Sequence, residues 1–272
     1  MEPESRSSPS WRASAFDAGL RGARLAEDNP WVDLFALPCA FLIAWAFTGT
    51  RFGRLLTVPL QIQFHELGHA LVAWLTSRAA LPLPFGFTFW REERSTFVAC
   101  CVLFLLSCLL ARAVIERRPF GGALALVLTL FWFVLSHVVS AAGSLRWVIW
   151  GGVAGEFLLT SVVLSAFFFR LPDRLRWDFF RFVALFPAAA VWLSAARLWR
   201  GIARGTEWIP LGSLLGSGDA GGDMDRLLHD YAMSEQALTS SYLLTMKLSC
   251  LLWAGCYVYF ATRALRAIRQ RA

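Results

Sequence analysis

The sequence predicts an all-α membrane protein, a polytopic bundle of about seven transmembrane helices. Three observations predict it. Apolar residues make up 57% of the 272, charged residues only 17%, and the charges gather between long apolar runs. A water-soluble domain holds about 45–50% apolar residues. The mean hydropathy of +0.53 points the same way.

Each element follows from the hydropathy pattern. Residues 1–30 hold no apolar stretch suited to a signal peptide and carry Glu2, Glu4, Asp17, Glu27 and Asp28. They are expected to stay on the chain as a partly disordered tail. A helix needs roughly 20 apolar residues to cross the hydrocarbon core. Seven stretches approach that length, at 31–49, 55–76, 97–115, 122–142, 146–169, 182–199 and 241–262. Residues 31–262 therefore read as one membrane-embedded domain. A basic C-terminal tail follows at 263–272, with Arg263, Arg266, Arg269 and Arg271.

The net charge of +7 comes almost wholly from arginine, with Lys247 the only lysine. The arginines sit at the ends of apolar runs, as in the pairs Arg51 and Arg54, Arg117 and Arg118, and Arg174 and Arg176. Membrane flanks look like this, and nucleic acid is not the expected partner. Seven spans would divide the arginines 12 to 13 between the two sides, so charge bias fixes no orientation. The six cysteines all lie in apolar runs and form no CxxC pair, so no disulfide framework is expected.

The chemistry begins at residues 65–69, His-Glu-Leu-Gly-His. On a helix, positions i and i+4 share a face, so His65 and His69 can each offer one ring nitrogen to a single Zn²⁺. Glu66, beside them, is placed as general base toward a water that such an ion activates. Gln61, Gln63, His65, Glu66 and His69 all fall inside the second span. Intramembrane polar groups are costly and usually functional; the bland alternative is ordinary polar helix packing. Gly68 and Ala70 leave the remaining face small enough for close helix contact.

Zinc hydrolases usually use three protein ligands. The glycine-rich stretch 216–225 offers Asp219, Asp223 and Asp225. Asp223, just ahead of a predicted helix from Met224 to Tyr231, is the favoured third ligand. Any of the three could instead be a solvated helix cap. Glu156 inside the fifth span could be a ligand, or could hold a proton or a ligand histidine. His229 is a further candidate, and His137 in the fourth span reads more simply as a satisfied core histidine.

These features together resemble the site-2 protease family of intramembrane zinc metallopeptidases. His65, Glu66 and His69 match that family's HExxH helix fully. Asp223 in Gly-Gly-Asp-Met is similar to its distant Asp motif, although no LDG or PDG occurs. The segment Trp150-Gly151-Gly152-Val153-Ala154-Gly155-Glu156 sits where the family often has Gly-Pro-x-x-Asn, without the proline or the asparagine. The resemblance covers about residues 55–240. It implies Zn²⁺ as cofactor, the lipid bilayer and a membrane-protein substrate as partners, and cleavage in or near transmembrane segments. A multi-pass protein of the bacterial cytoplasmic membrane is the expected setting. A metal-binding or metal-transporting protein, and a pseudoprotease that binds transmembrane helices, are the rival readings.

Residues 81–90 are expected to be extended. Leu81, Leu83, Phe85, Phe87 and Phe89 alternate with Pro82, Pro84, Gly86 and Thr88, a period of two. Family members carry a strand region after the HExxH helix, so Phe85 and Phe87 are expected to contact substrate by strand pairing. A membrane-dipping loop anchored by Phe87, Phe89 and Trp90 is the plainer alternative.

Overall fold

The computed structural model describes residues 29–83, 86–117, 119–169, 177–212 and 221–271. The N-terminal tail, Phe85 and Asp219 lie outside the described residues. Helix α1 spans Pro30–Gly49 and α2 Arg51–Leu75. Strands β1 (Arg78–Leu83) and β2 (Phe87–Arg94) follow, then α3 (Thr96–Ile115) and α4 (Pro119–Phe133). Helix α4 ends in a π turn, Val134–Val138. Next come α5 (Ala141–Ala166) and α6 (Trp177–Ala203). A short α7 (Asp223–Asp225) runs into a second π turn, Arg226–Asp230, and α8 closes the chain at Glu235–Arg271.

The all-α membrane bundle is thus what the chain forms. Among the described residues, six helices are long and apolar enough to cross a membrane. Helix α2 is long enough at 25 residues but is not among those six, because its C-terminal half carries Gln61, Gln63, His65, Glu66 and His69. Exposure fits a lipid surround: Phe97, Phe104 and Ile115 on α3 are 76%, 67% and 80% exposed. In water such a surface would associate.

Three boundaries differ from the sequence reading. Residues 141 and 142 open α5, because Ser140 caps that helix through the Gly143 N–H and ends the preceding span. The basic C-terminal tail is the continuation of α8, a single helix of 37 residues. The extended stretch near 81–90 is folded back as an antiparallel hairpin that pairs Leu81 with Phe89 and Leu83 with Phe87. Gly86 sits in its turn at φ 93°, a left-handed conformation that favours glycine.

Burial ranks the helices. The apolar span of α5 is 72% buried and that of α3 only 11%, so α5 is the axis of the bundle and α3 lies at its edge. Two apolar clusters pack on α5. One joins α5, α6 and α8 to the α7 segment through Phe157, Trp192, Trp199, Leu227 and Tyr242. The other joins α1, α5 and α6 through Leu37, Ala44, Leu164, Phe167 and Leu185.

Small residues decide how α2 meets α5. A Cβ on Gly68 would overlap the Gly151 carbonyl oxygen and the Gly155 Cα, and a Cβ on Gly155 would overlap Gly68 and the Phe64 carbonyl. The two backbones touch, as the small-residue spacing in both helices predicts.

Arginines fix the hairpin to the rest. Arg78 is fully buried and donates to the backbone carbonyls of Thr76, Glu92 and Ala141. Arg94 donates to the carbonyls of Leu135 and Val139 and to Ser144 Oγ. The π turn leaves carbonyls without helical donors, and Arg94 supplies one.

Candidate metal centre

The contact of α2 with α5 places His65 and His69 over the α5 backbone. His69 Nδ1 lies 2.8 Å from the Val148 carbonyl oxygen, which can only accept, so that nitrogen carries the hydrogen. His65 Nδ1 lies 2.8 Å from Glu156 Oε1. With Nδ1–H committed on both rings, both Nε2 lone pairs face the remaining direction.

Asp223 meets them there. Its Oδ2 lies 2.8 Å from His65 Nε2 and 2.9 Å from His69 Nε2. The α7 segment presents it: Gly222 precedes the turn in extended backbone at φ −70° and ψ 155°. Three acceptor atoms aimed at one point repel unless a cation, proton or metal, lies among them. Among the described residues, this is the group of His, Cys, Asp and Glu whose donor atoms converge, all within 4.8 Å of one another.

Burial alone would push the Asp223 carboxyl up; the His69 and His65 rings outweigh it and hold the group below the usual carboxylate range. A carboxylate must be ionised to act as a metal ligand. Access is one-sided. His65 and Asp223 keep 22% and 21% of their side-chain surface exposed, whereas His69 keeps 3%.

The residues fit a zinc ion by donor chemistry and by space. Two imidazoles and one carboxylate are a usual set for a zinc site that leaves a fourth position open. Donor atoms around tetrahedral zinc sit about 3.3 Å apart, given bond lengths of about 2.0–2.1 Å. The two contacts to Asp223 would open by about half an ångström. Gly152 keeps room for this: a Cβ there would overlap both Nε2 atoms.

The other sequence candidates have different places. Asp225 Oδ2 accepts the Gly212 N–H at 2.6 Å and ties off the chain before α7. Glu156 faces the far nitrogen of His65, not the point where the Nε2 atoms converge. His229 is exposed, with Nδ1 3.0 Å from the Asp225 carbonyl oxygen. His137 is not a core residue: it is exposed beside Trp132 and Phe133, because the π turn rotates it outward. Glu66 is buried beside the two histidines, and its carbonyl accepts from Thr88 Oγ1 at 2.9 Å.

That last bond settles which face of β2 meets the site. Thr88 bonds to α2 and the Trp90 ring lies 5.5 Å from the His69 ring. Phe87 and Phe89 alternate with them and are 43% and 65% exposed. Phe87 is therefore on the outward face, away from the histidines. Sequence reading gave Thr88, Trp90, Gly152 and the Val148 carbonyl no part in the metal centre, naming Trp90 only as a membrane anchor. The strand alternation itself held the signal for Thr88 and Trp90, and the four-residue step from Gly152 to Glu156 held it for the glycine.

No protein-family model, curated protein or solved structure matches this chain.

Proposed function

We propose that this chain is a membrane-embedded zinc endopeptidase that cleaves peptide bonds in or near transmembrane segments of other membrane proteins. One observation carries the reading: His65 Nε2, His69 Nε2 and Asp223 Oδ2 converge, both histidine Nδ1 atoms already have partners, and Glu66 follows His65 on the same helix. The resemblance of His65-Glu66-Leu67-Gly68-His69 to the site-2 protease motif supports it. That resemblance is also the support for a bacterial cytoplasmic membrane as the location.

His65, His69 and Asp223 would hold the ion. Bound there, zinc would polarise the scissile carbonyl and acidify a water. Glu66 would accept that water's proton and return it to the departing amine. The exposed sides of His65 and Asp223 give the direction of approach, and Trp90 covers the His69 side.

A transmembrane helix hides its carbonyls in intrahelical hydrogen bonds, so the substrate must be unwound. The hairpin beside α2 can hold an extended segment by strand pairing. On that reading Thr88 and Trp90 hold the hairpin against α2, beside the segment being cut. Phe87, on the outward face of β2, is placed to meet the substrate from the bilayer side.

The test is metal analysis and cleavage with full-length protein in lipid nanodiscs. Wild type should carry about one zinc per chain. Asp223→Ala should lose it, and Asp225→Ala should keep it. Glu66→Gln should keep zinc yet fail to cut a library of fluorogenic single-span peptides that wild type cuts. A Glu66→Gln protein as active as wild type would refute proteolysis through this site. Zinc retained in Asp223→Ala would refute the ligand set.

A further inference from the structure

We propose that Glu156 is a positioning residue whose negative charge, delivered through His65 Nδ1, tightens the grip of the centre on zinc and makes its two histidines unequal. The proposal rests on the reading of His65, His69 and Asp223 as a metal centre.

Glu156 is only 4% exposed and lies deep in α5, the most buried helix. A carboxylate in that setting is costly unless each oxygen is satisfied. Both oxygens are. Oε1 lies 2.8 Å from His65 Nδ1, and Oε2 accepts Gln61 Nε2 at 2.7 Å. Both donors come from α2. Gln61 precedes His65 by four residues, so the two stand one above the other on the same helix face. The carboxylate thus grips α2 at two points one turn apart, and the imidazole plane of His65 is fixed.

Geometry separates this role from that of a ligand. The Glu156 oxygens lie on the Nδ1 side of His65, while the convergence point lies on the Nε2 side. Moving a Glu156 oxygen to the ion would break the bond that orients the ring. His69 supplies an internal comparison. Its Nδ1 also donates at 2.8 Å, but to the neutral carbonyl of Val148. The same bond length with an anionic acceptor in one case and a neutral one in the other leaves charge as the difference. An anion behind an imidazole raises the basicity of the opposite nitrogen, and removing such a partner commonly costs about 10- to 100-fold in metal affinity.

Glu156→Gln tests this, because the amide keeps the shape, its oxygen can still accept from His65 Nδ1, and the charge is lost; its NH2 then faces Gln61, whose own amide turns to present its oxygen. Full-length protein in nanodiscs is titrated with zinc against a chromophoric chelator, with His69→Ala as reference. Glu156→Gln should bind about one zinc at saturation, with affinity about 10- to 100-fold weaker than wild type. Its cobalt-substituted form should show shifted d–d absorption bands. Affinity and cobalt spectrum equal to wild type, alongside zinc loss in His69→Ala, would overturn the proposal and leave the metal centre standing. No zinc at saturation in Glu156→Gln would make Glu156 a ligand and overturn it as well. Wild-type affinity in His69→Ala would sink the metal centre and the proposal with it. A second measurement needs no variant. In zinc-loaded wild type, the His65 Nδ1 proton should resonate downfield of the His69 Nδ1 proton; equal or reversed order would refute the charge asymmetry.

Discussion

Gly68 and Gly155 meet backbone to backbone where α2 crosses α5, so closely that a Cβ on either would overlap the Cα of the other. That contact sets the depth at which the His65 and His69 rings reach α5 and its Glu156 and Val148 acceptors. Gly155→Val should therefore act at a distance. Overpacking of this kind costs about 1–3 kcal/mol, and the helices must part to admit the methyls. The expected result is a lower melting temperature in detergent together with loss of bound zinc. Gly151→Ala should be milder, because its new methyl would meet the Val72 side chain, which can turn, more closely than any backbone atom. Equal melting temperatures for wild type and Gly155→Val would show that the contact is not the constraint.

Gly152→Ala should separate the centre from the fold. The added methyl would meet both His65 Nε2 and His69 Nε2 and take the space that the proposed ion would need. The rings can swing aside, so the bundle should survive, and alanine is favoured over glycine in a helix by about 1 kcal/mol. Circular dichroism should match wild type and zinc content should fall close to zero. Full zinc occupancy in Gly152→Ala would place the ion somewhere else.

Much of this was legible in the sequence, for reasons of periodicity. Each of the seven apolar runs falls on one of the long helices among the described residues, and six of these helices are apolar enough to span, α2 being the exception because of its polar half. His65 and His69 share a face because 3.6 residues per turn leaves no choice. Even the face assignment along 81–89 survives the chain reversal: the register pairs 81 with 89 and 83 with 87, so odd-numbered residues stay together on both strands. The reversal itself was not legible, since an unbroken period of two looks the same in one strand or two. Nor was the choice among the aspartates, which depends on where the chain turns at Gly222 and on a bond between Asp225 and a residue 13 positions earlier. His137 misled because local π geometry, not helical phase, sets its direction.

Asp225→Ala should loosen the segment that presents Asp223 without removing a ligand. Asp225 is 9% exposed, and its Oδ2 accepts the Gly212 N–H at 2.6 Å. Removing the acceptor strands a part-buried donor, at a cost of about 1–3 kcal/mol. Amide exchange at Gly212 and Gly222 should quicken, and zinc should leave faster while its saturating stoichiometry stays the same. A zinc off-rate equal to wild type would mean that the turn is held by other contacts.

Arg94→Met should uncouple the hairpin from the bundle while sparing the metal ligands. One nitrogen of Arg94 reaches the carbonyls of Leu135 and Val139 and Ser144 Oγ, which joins the end of β2 to the π turn after α4 and to the start of α5. Methionine keeps the apolar stem and removes every donor. Carbonyls left without partners near lipid cost about 1–3 kcal/mol each, so β2 should detach in part at its C-terminal end. Arg78, bonded to Ala141, still holds β1, and Thr88 still holds the near end of β2 to Glu66. Hydrogen exchange should therefore quicken most from Trp90 to Arg94 and least at Thr88. The Trp90 fluorescence environment should change, because its ring loses a fixed place against His69. Zinc content should match wild type, since His65, His69 and Asp223 stand on α2 and α7. On the proposed function, peptide cleavage should nonetheless fall, because the hairpin would hold an extended substrate less firmly. Unchanged exchange across β2 would show that the hairpin is anchored by the helices beneath it and that the arginine bonds are dispensable.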